Sequence, residues 1–397
     1  MAVYQQKVEP DHAADVDFFL RLIRPDSPGE IGASLPPPDW GYIAALAKRH
    51  KAIPVLYANL GKPGVAEQVP ADIRENLRAK YLRIAADNMR MEQRLIDVIT
   101  LLEEGGVPAV PFKGPVLAQC LYGDPALRKY SDMDILVPAG KVTRAFDILL
   151  SAGYHPKNPR LSRDQFKRFA DFTKSLDWTD DRGQVKLDLH WRLSLHTKRV
   201  YDYDFCRERL TTASLARRTV ACLSPEDMVV FLCVHGTSHN WANADTVLSV
   251  AGYIDRYPDL DWALVEGLAH RLDCRRMMRL GLFLARDLFG VNLPQKIIRK
   301  IKKDKAVHTL AGQVYAGLFE ARPKRSHFRE RLGEVPFQLM ARDTWPARLH
   351  YIKWRLFWPT QKDWLILPLP AGLWFLYFVL RPVMLGLAVL GLRGKGE

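Results

Sequence analysis

A chain of 397 residues, 48% hydrophobic and 26% charged, is long enough for two or three domains with an ample core, and these fractions exclude a disordered chain. The formal net charge of +14 points to anionic partners: nucleotides, nucleic acid or an acidic lipid surface. Five cysteines, Cys120, Cys206, Cys222, Cys233 and Cys274, are odd in number and lack CxxC spacing, which argues against a disulfide scaffold and for a reduced, cytoplasmic compartment.

Residues 1–20 carry four acidic groups and no apolar run, so they do not read as a secretory leader. The spacing predicts a helical region over 1–80, in which Asp39 caps a helix through Ile43, Leu46 and Ala47. A longer helix follows with the apolar stripe Leu95, Val98, Ile99 and Leu102, ending at Gly105-Gly106. A strand over 107–112 then runs into Lys113-Gly114 and a helix opened by Pro115, a residue suited to the first helical position. Glycine ahead of a helix N-terminus lets backbone N–H groups approach phosphate oxygens.

The most telling stretch is Ser131-Asp132-Met133-Asp134-Ile135-Leu136-Val137. On a strand, residues i and i+2 share a face and stand roughly 6.5 to 7 Å apart, so Asp132 and Asp134 point together while Met133, Ile135 and Val137 enter a core. Two carboxylates side by side repel unless a cation lies between them, and oxygen ligands suit Mg²⁺ or Mn²⁺. A helix over 141–152 and a basic stretch over 155–175 follow. Phe166, Phe169 and Phe172 fit either plain packing or a face beside an acidic substrate. Strands near 176 and 185 come next; in the second, Leu187 and Leu189 alternate with Lys186, Asp188 and His190. If the two acidic strands are neighbours, Asp188 completes a carboxylate trio of the kind that clamps phosphoryl transfer with two metals.

Ser224-Pro225-Glu226-Asp227 opens an all-α domain over 224–330. In it, His235 and His239 stand one helical turn apart; no third ligand accompanies them, and packing near a nucleotide is the better reading. Basic runs over 296–305 and 322–331 read either as a polyanion site or as solvated helix faces. The tail, 331–397, is rich in Trp and apolar residues. Arg381-Pro382 interrupts its longest apolar stretch, so a helix lying in an anionic membrane interface fits better than a span, with burial against the helical domain as the alternative.

Lys113-Gly114, the Tyr122-Gly123-Asp124-Pro125 turn, Arg128, Asp132-Met133-Asp134, Leu187-Asp188-Leu189-His190 and His235-Gly236-x-x-His239 together resemble bacterial nucleotidyltransferase family proteins of the DNA polymerase β-type superfamily. The superfamily's usual Gly-Ser is Lys-Gly here, which is similar to the toxin-type nucleotidyltransferases. The resemblance implies an α+β fold: a small mixed sheet with helices as the catalytic core (81–223), flanked by N-terminal helices and the C-terminal all-α domain.

It also implies an Mg²⁺- or Mn²⁺-dependent transfer of a nucleoside monophosphate from an NTP to a hydroxyl on a protein, tRNA, small molecule or sugar. Asp132, Asp134 and Asp188 would be both catalytic residues and metal ligands. Lys113, Gly114, Arg128 and Ser131 would bind the nucleotide, and His190, His235 and His239 would be accessory. Arg128 also reads as a salt-bridge partner of Asp124 or of a catalytic carboxylate, Ser131 as a turn cap, and His190 as a merely hydrogen-bonded histidine. Two other functions stay open: a catalytically silent nucleotide-binding scaffold, and a peripheral membrane or nucleic-acid-binding protein acting through the basic C-terminal third.

Overall fold

The computed structural model describes residues 4–5, 8, 10–24, 37–157, 163–183, 186–319, 327–360, 363–364, 367 and 369–389. Helices α1 (Ala13–Leu22), α2 (Trp40–Arg49) and α3 (Ile53–Asn59) precede α4 (Ala71–Glu104), which at 34 residues is about 50 Å long. Asp39 caps α2, its carboxylate accepting the Tyr42 N–H at 2.9 Å, as its position before the apolar stripe predicts.

A five-stranded sheet holds β1 (Val110–Pro111), β2 (Met133–Leu136), β3 (Tyr154–Pro156), β4 (Ser175–Asp180) and β5 (Leu187–His190) in the order β1-β2-β5-β4-β3. β2 and β5 are parallel and the other neighbours antiparallel, so the sheet is mixed and the fold is α+β. β1 is shorter than the strand expected over 107–112. The Val107 N–H is spent closing the end of α4 on the Leu102 carbonyl, leaving two residues to pair with β2. Helix α5 (Gly114–Tyr122) follows β1, and α6 (Val142–Ser151) and α7 (Arg163–Phe172) lie between β2 and β4.

Alternation sorts the sheet into two faces. Met133, Ile135, Leu176, Trp178, Leu187 and Leu189 bury themselves against the end of α4, α6 and α7. Phe166 and Phe169 of α7 are buried in that layer, so their three-residue spacing serves packing. The other face, with Val110, Phe112 and Leu136, meets the helical layer. Beyond α8 (Tyr203–Cys206) and a hairpin of β6 (Thr211–Leu215) and β7 (Arg218–Cys222), that layer comprises α9 (Pro225–Ser238), α10 (Ala244–Arg256), α11 (Trp262–Arg271), α12 (Arg275–Phe289), α13 (Gln295–Lys303) and α14 (Lys305–Phe319). The N-terminal helices α1–α3 share this core. Ser224 caps α9 by accepting the Asp227 N–H at 3.1 Å.

In the basic run on α13, Ile297, Ile298 and Ile301 are buried, and Lys296 and Lys300 both reach Glu266. Arg322, Lys324 and Arg325 of the second run lie outside the described residues. α15 (His327–Met340) and α16 (Trp345–Phe357) lead to the last helix, α17 (Tyr377–Val389), which packs on α16. Trp364, Trp374 and Tyr377 are buried with the sheet's apolar layer, and Phe172 of α7 meets Trp358, Trp374 and Phe378. Arg381, which reads from sequence as the residue too costly for the centre of a membrane span, is buried and paired with Asp363, and it also donates to Thr360 Oγ1 at 3.0 Å. Among the described residues no helix is long and apolar enough to cross a membrane. All five cysteines are free thiols.

Candidate active site

The parallel pairing of β2 with β5 sets Asp134 opposite Asp188, and the antiparallel pairing of β5 with β4 sets Asp177 on the far side of Asp188. Side chains in register across neighbouring strands share a face, so three carboxylates line up across the sheet, with His190 two residues beyond Asp188. Asp132 lies just before β2 and is exposed, whereas Asp134 is buried.

Asp134 is the hub. Its Oδ1 receives the Lys113 ammonium at 2.5 Å and His190 Nε2 at 3.0 Å, and the same Nε2 lies 2.7 Å from Asp188 Oδ2. Nδ1–H of His190 donates to the Arg192 carbonyl at 3.3 Å. With both ring nitrogens donating, His190 is an imidazolium: burial opposes its charge, but the two carboxylates outweigh burial and raise its pKa. Burial likewise favours the neutral forms of Asp134 and Asp188, and is overcome at Asp134 by Lys113 and His190, and at Asp188 by His190, so both carboxyl pKa values are lowered. Asp132, though exposed at its edge, goes the other way, raised by partial loss of solvent around its carboxyl and by the neighbouring Asp134 charge.

Asp134, Asp188 and His190 each offer a ligand atom, all within 4.8 Å of one another. Asp188 Oδ1 is buried without a hydrogen-bond partner among the described residues, an orphaned acceptor of the kind a cation satisfies. The Nδ1–H bond to a backbone carbonyl is also the contact that orients a histidine whose other nitrogen binds a metal. The donor set fits a divalent cation once His190 gives up its Nε2 proton, since a ligating imidazole nitrogen must be unprotonated. It differs from the expected trio in one member: His190 joins Asp134 and Asp188, while Asp132 stands outside the tight group.

Helix α5 begins at the turn expected to hold phosphates. Gly114 has φ +58, and a Cβ there would stand 2.9 Å from the Asp132 carbonyl oxygen. Gly114→Ala is expected to cost about 2 kcal/mol from the left-handed backbone alone, and to push the Asp132 backbone aside. A lowered thermal unfolding midpoint together with reduced nucleotide binding checks this; an unchanged midpoint would contradict the packing described. Lys113 caps the helix in extended conformation with its ammonium on Asp134, and Ser131 is exposed.

Arg128 forms a buried ion pair at 2.9 Å with Asp245 of α10, neither of the partners expected from sequence; Asp124 instead accepts the Ala126 N–H. Asn88, buried in the middle of α4, donates to the carbonyls of Pro125 and Arg128 at 2.9 and 2.8 Å and pins this loop. Neither Asn88 nor Asp245 carried a sequence signal, because each acts on residues tens of positions away.

His235 and His239 face the same site from α9. Successive rings connect them to the carboxylates: His190 to Phe112 (4.9 Å between centroids), Phe112 to Phe231 (5.2 Å), Phe231 to His235 (5.5 Å) and His235 to His239 (4.6 Å). Burial holds the half-buried His235 well on the neutral side, and His239, exposed at the end of the helix, is shifted in the same direction. A cavity of about 210 Å³ opens beside them, lined also by Lys174, Ser194, His196 and Trp354. From sequence, Lys174 stands out only as one member, with Lys167 and Arg168, of a basic stretch that fits either plain packing or a face beside an acidic acceptor. Sequence reasoning missed Asp177, although the alternation Leu176-Asp177-Trp178 could have placed that carboxylate on the site face.

A family model described as "uncharacterised nucleotidyltransferase" matches residues 36–290. No curated protein matches the chain. Among solved structures, the chain is similar to the antibiotic-resistance factor ANT(2'')-Ia, with 18% identity over 45% of this chain and 89% of that one and a TM-score of 0.32. It is also similar to an antigenic nucleotidyltransferase-like protein from Paracoccidioides brasiliensis, with 13% identity over 54% and 96% and a TM-score of 0.28. Neither likeness at these scores carries an argument about this site. The family match spans the sheet, the acidic register and the first helices of the helical layer, and on it the chain belongs to the nucleotidyltransferases of that family.

Proposed function

We propose that this protein moves a nucleoside monophosphate from an NTP to a hydroxyl acceptor and releases pyrophosphate. The observation that supports this most is the in-register meeting of Asp134 and Asp188 beside His190, with Asp188 Oδ1 left without a partner among the described residues. Asp134, Asp188 and His190 would hold a divalent cation, Mg²⁺ or Mn²⁺, with Asp132 beside them. When bound, that ion supplies charge neutralisation at the phosphoryl oxygens and activation of the acceptor hydroxyl.

The chain's own groups then have distinct tasks. Asp188, ionised and on the open side of the pair, takes the acceptor's proton as its oxygen attacks the α-phosphorus and the bond to the β-phosphate breaks. The N–H groups at the start of α5 and the Ser131 hydroxyl bind phosphate oxygens. Lys113, released from Asp134 as phosphate charge arrives, neutralises the leaving pyrophosphate; Arg128 contributes from behind through its field. His190, tied to the Arg192 carbonyl, keeps both carboxylates in place.

The test is incubation of the full chain with α-labelled ATP, CTP, GTP or UTP, Mg²⁺ or Mn²⁺, and lysate fractions. Label covalently attached to an acceptor is the expected result. Nucleotide binding without transfer would favour a silent scaffold, and neither would overturn the assignment.

The C-terminal surface extends the proposal to a place of work, the cytoplasmic side of an anionic membrane. Trp345, Leu349, Ile352 and Leu356 form an exposed stripe on α16, and Phe375, Val379 and Val383 are exposed on the adjoining tail. Lys353 and Arg355 flank them, and no acidic residue occurs over 345–360. Large exposed apolar surface with basic flanks suits acidic lipid. Trp345→Ser/Leu349→Ser is expected to cut co-sedimentation with phosphatidylserine vesicles several-fold. Unchanged sedimentation would refute this face, and salt-sensitive RNA binding in its place would assign the charge to nucleic acid.

A further inference from the structure

We propose that the cavity between the 193–196 segment and α9 is the acceptor site, and that it takes a small hydroxyl compound bearing a phosphate group. The inference rests on the nucleotidyl-transfer reading above and narrows its acceptor. Position is the first argument. The phosphate turn at Lys113-Gly114 follows β1, on one side of the acidic pair. Lys174 immediately precedes β4, on the other side, and its carbonyl accepts the N–H groups of Trp191 and Arg192, at 2.9 and 3.2 Å, directly after His190. The cavity therefore lies on the Asp188 side of the pair, away from the turn, and Lys174, which lines it, places its charge in the field of Asp188, the carboxylate assigned to the acceptor's proton.

Charge is the second argument. Among the described residues no carboxylate forms an ion pair with the Lys174 ammonium, which lines the cavity. Arg342, 1% exposed, also has no carboxylate partner: its guanidinium donates to Gln338 and, from Nη2, to His196 Nδ1 at 3.2 Å. Arginine can only donate, so His196 Nδ1 accepts, and the neutral ring carries its proton on Nε2. Burial and the Arg342 charge keep that ring neutral. The lining thus offers an ammonium, the His196 N–H, the Ser194 hydroxyl and the imidazoles of His235 and His239, with a buried cation behind them. Donors arriving from several sides suit the three oxygens of a phosphate group, and the half-buried Lys174 together with the buried Arg342 favours an anion over a cationic ligand, even with Lys174 in the field of Asp188.

Size is the third. At about 210 Å³ the cavity falls below the roughly 300–1,000 Å³ of drug-sized pockets, so it takes a compact head group rather than a polymer segment. Trp354, whose indole lies 5.3 Å from the His196 ring, supplies an apolar wall for the carbon skeleton.

The test is calorimetric titration of the full chain with inorganic phosphate and with glycerol 3-phosphate, using glycerol as the uncharged control and ATP as the second arm. Lys174→Met, close in length and suited to a half-buried position, is expected to weaken both phosphate ligands at least about tenfold and to change ATP affinity by less than about twofold. Lys174→Arg restores phosphate binding, which a merely structural role for Lys174 would not predict, and an unchanged thermal midpoint verifies the fold of both variants. Phosphate binding indifferent to Lys174→Met overturns the site. An equal loss for ATP overturns it too, by assigning the cavity to the nucleotide's own phosphates. No turnover is needed for the readout, so a failure of nucleotidyl transfer would show separately in the labelling assay.

Discussion

Asp188→Asn is expected to lower nucleotidyl transfer by about a thousandfold, the middle of the range for removing a positioned proton acceptor, while the protein stays folded. The change keeps the shape of the side chain. Asp188 is the more accessible of the two partners, with its side chain 19% exposed, and its Oδ1 makes no hydrogen bond that could be lost. Asp134→Asn is expected to abolish activity and to destabilise the protein as well. It strips the counter-charge from Lys113 and half of that from His190, and breaking a buried pair by removing one partner costs about 3–5 kcal/mol. Transfer of α-label and thermal unfolding, measured on the same two preparations, check the split. Wild-type transfer by Asp188→Asn would remove the carboxylate pair from the mechanism. Equal stability losses in the two variants would contradict the hub role of Asp134.

Acid is expected to destabilise the fold well before the carboxylates protonate. Burial presses the pKa of His50 down to about 3 and holds those of His196 and His235 well below the ordinary value. The unfolded chain takes up protons at these positions below about pH 6.5, whereas the folded chain does not. Their contribution is therefore fully present above that pH and is lost as pH falls toward the folded values. At pH 5 the His50 contribution alone amounts to about 2 kcal/mol, from 1.4 kcal/mol per unit. His190, with its raised pKa, works in the opposite direction, one group against the depressed histidines. A urea midpoint clearly lower at pH 5.0 than at pH 7.5 is the expected result, and a flat profile between them would show that these rings are not buried neutral.

What could be read from the residues was whatever repeats locally. The two-residue period placed Asp132 with Asp134 and Asp188 with His190, and the Ser224 and Asp39 caps announced their helices. Register was not legible, because the choice of β5 as the parallel neighbour of β2 depends on chain over fifty residues away. For the same reason His190, visible as a face-mate of Asp188, could not be seen to touch Asp134 as well. Arg128 looked like a phosphate ligand because its partner Asp245 lies 117 positions later. Arg381 looked unaffordable in an apolar helix because Asp363 and Thr360, which satisfy it, stand beyond an apolar, proline-containing stretch.

The line of rings from His190 to His239 has a consequence for selection. Each of these aromatic contacts stabilises the packing, and together they tie α9 to β5 through Phe112. The span between the donor-lined cavity and the acidic strand pair is then a property of the fold, unchanged by what enters. A molecule whose hydroxyl lies at that span from its charged end arrives already aligned, with its orientational entropy surrendered on binding. One that is a carbon too long or too short can occupy the same cavity and still fail to present its oxygen, so discrimination falls on the rate of reaction more than on affinity.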